Sequence, residues 1–279
     1  MDRIPLLCLL LLAGADLAGP LAYDKAGVEL GGKRTPWKDV SSITETDPAA
    51  PAAAPPAAAD LELLAADPFH KEALKRVKPL LDRRPPKSAL RPPFEGRWKA
   101  AVDATGHHRI KAFALHAIDF VRVDEKGSLF TGAGKTLTDY LGYDQPVLAA
   151  ADGEVVQMED RFDDLPPGRL GKFDQANFVT VRHSAEEFTF YGHVRKGSGA
   201  VKIGDKVAKG ATIARVGNSG ASGTPHLHFT MLTPNRTGWL SVPWRLHGFT
   251  LVDAHGTACA IDAKQARPQE GWTLIAPKR

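Results

Sequence analysis

From Phe94 onward, no run of useful length carries apolar residues at helical spacing. The chain breaks instead into short alternating or β-branched runs, which excludes a helical bundle and predicts a mainly β domain. The runs are 110–122 (IKAFALHAIDFVR), 146–157 (PVLAAADGEVVQ), 177–183 (NFVTVRH), 188–193 (FTFYGH), 211–216 (ATIARV) and 226–232 (HLHFTML). Asp152-Gly153, Gly204-Asp205 and Gly217-Asn218 punctuate them as turns. Residues 201–216 read as strand, turn, strand. Residues 124–145 fit neither period and are expected to form a long loop at the rim.

The chain before this domain has a different character. Residues 1–22 place Arg3 ahead of an apolar run from Ile4 to Leu12, followed by small residues. That is the layout of a secretory signal peptide, and the run is too short to span a bilayer as a helix. A periplasmic or secreted protein is expected, with no integral membrane segment after cleavage. Residues 23–93 read as a linker. Within it, 47–59 (DPAAPAAAPPAAA) is low-complexity Ala/Pro sequence with nothing to pack. Leu74, Val77 and Leu81 suggest one short amphipathic helix over 71–82. The domain is placed at 94–250, with 251–279 as its C-terminal extension.

Composition narrows the chemistry. Two cysteines in 279 residues, Cys8 and Cys259, are too few for a disulfide framework or a cysteine-rich zinc module. The 36 Lys and Arg against 32 Asp and Glu leave a net charge of +4, without the dense basic stripe of a nucleic-acid binder. No nucleic-acid partner is expected, and a monomer is. The ten histidines carry most of what remains.

In His226-Leu227-His228, residues two apart share one face of a strand, so both imidazoles project into one cleft while Leu227 turns to the core. By itself such a pair is equally compatible with two solvent-facing histidines. Asp119 sits among Ala117, Ile118, Phe120 and Val121, where a carboxylate must be paired, hydrogen-bonded to backbone amides, or bound to a metal. His193 ends an alternating strand. His107-His108 precedes the run that carries Asp119. A catalytic zinc site needs three protein ligands and an open position for water. The HExxH helix of the common metalloproteases is absent.

These residues resemble the lysostaphin-type, or LytM-like, zinc metalloendopeptidases, which cut peptidoglycan cross-links. GDKVAKGATIARVGNSGASGTPHLHF at 204–229, FYGHV at 190–194 and PVLAAADGEVV at 146–156 carry the likeness. The resemblance implies an antiparallel β-sheet sandwich with a central cleft. It further implies that His108, Asp119 and His228 hold Zn²⁺, with His193 and His226 as acid/base groups and a peptidoglycan or peptide substrate. Many members carry the first two ligands as H-x-x-x-D. Here His116 lies three positions before Asp119, so on a regular strand the two face opposite sides. The longer GHHRIKAFALHAIDF matches a branch with the histidine well upstream, which places the first ligand on His108, with His107 and then His116 as alternatives. Asn177 is expected to serve a structural turn.

Two other readings compete with this one. Some relatives have lost ligands and act as binding or activator modules for a cell-wall hydrolase, but this chain keeps a candidate at every position. A serine hydrolase through Ser219 or Ser222 lacks the G-x-S-x-G elbow. These serines are expected to position the HxH strand.

Overall fold

A computed structural model describes residues 87–101, 108, 111–235, 238–252, 258–261, 268 and 271–278, together with the backbone of five short N-terminal strands. These are β1 (Leu7–Leu12), β2 (Ala15–Asp24), β3 (Gly27–Leu30), β4 (Lys33–Thr35) and β5 (Ser42–Glu45). The Ala/Pro linker at 47–59 and the expected helix at 71–82 lie outside the described residues.

The main body begins with β6 (Gly96–Ala101), β7 (Ile118–Arg122), β8 (Pro146–Leu148) and β9 (Gly153–Glu159). It continues with β10 (Phe178–Arg182), β11 (Phe188–Gly192), β12 (Lys206–Val207) and β13 (Thr212–Arg215). The last strands are β14 (Leu227–Asn235), β15 (Gly238–Val242), β16 (Thr250–Val252), β17 (Ala258–Ile261) and β18 (Thr273–Ala276). Across this body the order is β12-β9-β10-β11-β14-β7-β6-β18-β16-β17, with β15 on β14, and every pairing is antiparallel. A second sheet pairs β13 with β8. The expected mainly β antiparallel fold is therefore what forms. The described residues contain 3-10 turns but no α-helix, and so no helix long and apolar enough to cross a membrane.

Val147, Ile213 and Ala214 of the small sheet share one core with Val155, Val179, Val181, Tyr191, Leu227, Phe229 and Met231 of the large one. Behind β7 and β14 this core is aromatic. Phe94 stacks on Trp98 at 4.8 Å and meets Phe120 edge-on at 4.9 Å, while Phe229 meets Trp244 edge-on at 4.9 Å. Each fully buried apolar side chain of this size contributes roughly 1.5–3 kcal/mol.

Three expectations need correction. The run 110–122 is not one strand: Ala112–Ala114 form a 3-10 turn and only Ile118–Arg122 join the sheet. Its alternating apolar residues include helix-favouring alanines, and pattern alone does not separate the two states over so short a span. The run 146–157 is two strands, because Ala149–Asp152 carry the chain between the sheets. In 201–216 the first strand is only Lys206–Val207. Residues 124–145 form the expected loop, with one 3-10 turn at Leu137–Asp139.

Packing also reaches both ways past 94–250. Leu90 is fully buried and bridges to Leu246, and Glu187 accepts hydrogen bonds from the backbone N–H groups of Lys87 (2.7 Å) and Ser88 (2.9 Å). At the other end β18 pairs with β6, setting Leu274 opposite Trp98. Leu90→Ala should therefore destabilise the fold by about 2–5 kcal/mol. Urea denaturation checks this; an unchanged midpoint would place residue 90 outside the cooperative unit.

Candidate metal centre

The centre is built on the pairing of β7 with β14. Ile118 and Phe120, and across from them Leu227 and Phe229, are fully buried in the aromatic core. Strand alternation turns the intervening Asp119 and His228 to the other face. The register makes these two direct cross-strand partners, and His228 Nδ1 lies 2.9 Å from Asp119 Oδ1. On the other edge of β14, His228 is opposite Gly192 of β11. A Cβ on Gly192 would stand 3.2 Å from the His228 Cβ, so the glycine makes room for the imidazole.

His108 arrives from outside the sheet. The backbone N–H of Lys111 donates to the His108 carbonyl at 3.1 Å, leading into the 3-10 turn. The His108 ring is buried, meets the His228 ring edge-on at 4.9 Å, and sets Nε2 3.6 Å from Asp119 Oδ2. His108, Asp119 and His228 offer one ligand atom each, all within 4.8 Å of one another. Tetrahedral zinc with bonds of about 2.0–2.1 Å separates its ligand atoms by roughly 3.3 Å, so two nitrogens and an oxygen within 4.8 Å of one another would draw in to hold it, and their chemistry suits it.

The remaining two histidines stand beside this triad. His226, immediately before β14, places Nε2 3.5 Å from Asp119 Oδ1, and its ring lies 4.6 Å from that of His193. His193 follows β11 with φ +61°, a left-handed conformation uncommon outside glycine, and its ring is 5.8 Å from that of His228. Both rings are tied through Nδ1: His193 to Ser219 O at 2.8 Å, His226 to Thr224 O at 2.8 Å. A carbonyl only accepts, so Nδ1 carries the proton in each neutral ring and Nε2 keeps its lone pair.

His116, the third choice for a first ligand, is fully buried elsewhere. Its backbone N–H donates to Ser241 Oγ (2.9 Å) and its carbonyl accepts from Trp244 Nε1 (2.8 Å). His107 lies outside the described residues. Asn177 has the structural place expected of it: its side chain accepts from Phe162 N–H and donates to the Phe162 and Val194 carbonyls. Sequence reading missed Asp164. It accepts from the Asn218 N–H at 2.7 Å, and a Cβ on Gly217 would fall 2.3 Å from its Oδ1. Nothing in RFDDLPP separates it from the exposed Asp163 beside it.

Electrostatics follow from this crowding. Burial by itself would raise the Asp119 carboxyl. His226, the hydrogen bond and charge of His228, and His108 outweigh burial and hold it far below the usual carboxylate range. Burial, reinforced by His226 and His228, pushes His193 down to about 3. For His193 the unfolded ring gains a proton near pH 6.5 while the folded ring stays neutral down to about 3. In that window the unfolded state binds more protons, so stability falls as pH falls. Asp119 acts in the same direction once the unfolded carboxyl protonates. Metal-free protein should therefore lose unfolding free energy steadily from pH 7 to pH 4 in urea titrations, with a shallower slope in His193→Ala. A rise in stability over that range would contradict this electrostatic account.

Comparison with known proteins reaches part of the site. Residues 138–238 match the sequence model of Peptidase family M23. The match includes His193, His226 and His228 and leaves His108 and Asp119 upstream of it. The chain is similar to a peptidoglycan DD-endopeptidase, ShyC, of Vibrio cholerae: 30% identity over 141 residues, covering 47% of this chain and 29% of the relative. An uncharacterized metalloprotease of Haemophilus influenzae is 39% identical over 84 residues, covering 30% of this chain and 15% of its own length. The chain thus spans less than a third of the length of these curated relatives. Among solved structures, the deep-sea M23 metalloprotease pseudoalterin aligns at TM-score 0.34 and 21% identity, over 53% of this chain and 72% of that one. The catalytic domain of lysostaphin from Staphylococcus simulans aligns at TM-score 0.27 and 24% identity, over 44% and 72%. The family match thus takes in the HxH segment and β11 beside it, and over residues 138–238 this chain is similar to Peptidase family M23.

Proposed function

We propose that the domain is a zinc-dependent endopeptidase of the bacterial cell envelope, acting on peptide bonds of peptidoglycan cross-links. The observation that carries this reading is the convergence of His108, Asp119 and His228 within 4.8 Å, flanked by two histidines with Nδ1 already bonded. The relative named as a peptidoglycan DD-endopeptidase supports the substrate class. The apolar run at 4–12, read as part of a cleaved leader, supports the location.

His108, Asp119 and His228 would hold the zinc. When bound, zinc polarises a scissile carbonyl and lowers the pKa of water toward about 7. The rest of the work falls to the chain. Asp119 stays anionic through the neutral range and partly offsets the charge of a divalent ion. His193 and His226 have the Nε2 lone pair available to take a proton from water. The protonated ring then donates to the developing oxyanion or returns the proton to the leaving amine.

The ligand and acid/base roles separate in one paired experiment. His228→Ala removes one of three ligands, so zinc content and hydrolysis should fall together. His226→Ala leaves the ligand set intact and should keep about one zinc per chain while turnover drops roughly 10²–10⁴-fold. Metal analysis alongside rate measurement decides it; loss of zinc only in His226→Ala would reverse the roles.

The substrate reading has its own test. Incubation of the zinc-loaded protein with purified peptidoglycan should release new peptide amine termini detectable by mass spectrometry, and chelator should abolish them. Intact cross-links after prolonged incubation, with zinc bound, would instead favour a binding module.

A further inference from the structure

Both histidines placed in proton transfer lean on one loop, residues 217–225. His193 does so through Ser219 O. His226 Nδ1 has two neighbours there, Thr224 O at 2.8 Å and Ser222 Oγ at 3.1 Å. The carbonyl accepts by necessity. The hydroxyl does not, because it both donates and accepts, and its orientation decides whether it supports or opposes a proton on His226 Nδ1.

Ser222 is buried, and its Oγ faces three groups: Asn218 Oδ1 at 2.6 Å, Thr224 O at 3.0 Å and His226 Nδ1 at 3.1 Å. It has one proton to give. Asn218 is fully buried, and its amide Nδ2 donates to Leu165 O at 2.7 Å, which leaves Oδ1 as the atom facing Ser222. The shortest of the three contacts therefore takes the hydroxyl proton, and a lone pair of Oγ is left toward His226. The Asn218 backbone is fixed as well. Its N–H donates to Asp164 Oδ1 at 2.7 Å, and its carbonyl accepts from Leu165 N–H at 3.1 Å. Asp164 Oδ2 is in turn 3.3 Å from both Tyr143 OH and the Lys196 N–H, joining the rim loop and the turn after His193 to the same anchor.

We infer that Ser222, oriented by Asn218, is a positioning residue that acts with the Thr224 carbonyl to hold His226 in the Nδ1-protonated form with Nε2 turned to the metal cleft. The Nε2 separation of 3.5 Å from Asp119 Oδ1 shows that this nitrogen faces the ligand set. The kinetic consequence rests on the proposed peptidase reading; the tautomer does not.

The experiment compares the zinc-loaded full chain with its Ser222→Ala variant. Long-range ¹H–¹⁵N spectra of the imidazoles should show His226 protonated on Nδ1 in the parent. In Ser222→Ala the Thr224 carbonyl remains but one of the two acceptors at Nδ1 is lost, so the Nε2-protonated form should appear beside it as a minor population. kcat should fall about 10–100-fold, as when a group that orients a working histidine is removed, with KM and zinc content within about twofold. Ser222→Ala leaves the Asn218–Leu165 bond in place, so it should fold. Asn218→Ala, which frees the hydroxyl to rotate, should move the same signals in the same direction. An Nε2-protonated His226 in the parent would overturn the inference. So would a Ser222→Ala protein with parent-like tautomer and kcat, and hydrolysis by that protein would leave the peptidase reading standing. A tautomer shift in proteins that cleave nothing would uphold the positioning role and sink the peptidase reading instead.

Discussion

The pairing of Asp119 with His228 is the interaction on which the site depends. It joins adjacent strands at a direct cross-strand position, and four core side chains fix which way it faces. Ile118, Phe120, Leu227 and Phe229 are all fully buried behind it. A slip of one residue in either strand would send the carboxylate or the imidazole into the aromatic core, so the hydrophobic pattern protects the geometry of the candidate metal site. The cost of burying the carboxylate is offset by three imidazoles rather than by a fixed cation. That arrangement keeps the charge available to a divalent ion.

Much of this was legible in the residues because it follows a period of two. The HxH pair, the carboxylate inside IDFV and the strands at 178–182, 188–192 and 227–235 all show alternation, and the structure keeps them in the same faces. His108 was legible in another way. No period predicts its place beside Asp119, since the chain between them turns through a 3-10 segment; only the resemblance of GHHRIKAFALHAIDF to a longer branch of the family pointed there. The same turn explains why reading 110–122 as one strand fails. Asp164 left no trace in the sequence, because its function as an anchor arises from loop backbones that meet in space and from hydrogen bonds to N–H groups, which every residue type but proline offers.

The loop at 217–225 shows why a glycine-rich approach precedes the two histidines. It supplies the carbonyls and the hydroxyl that bond both Nδ1 atoms, so its backbone must pass close to other chains. Gly217 permits this at Asp164 and at Arg195, whose Cα would lie 2.5 Å from an added Cβ. Buried polar groups with every partner in place rigidify a site beyond what packing alone achieves. Here the rigidity fixes two rings whose Nδ1 atoms are each bonded to a loop carbonyl.

The left-handed backbone of His193 carries an implication for the stability of the domain. A non-glycine residue held there costs on the order of 1 kcal/mol relative to an easier conformation. Glycine at that position would relieve the strain and discard the imidazole. The φ of +61° at the end of β11 thus sets backbone ease against the placement of this ring beside His226, a trade written into one backbone angle.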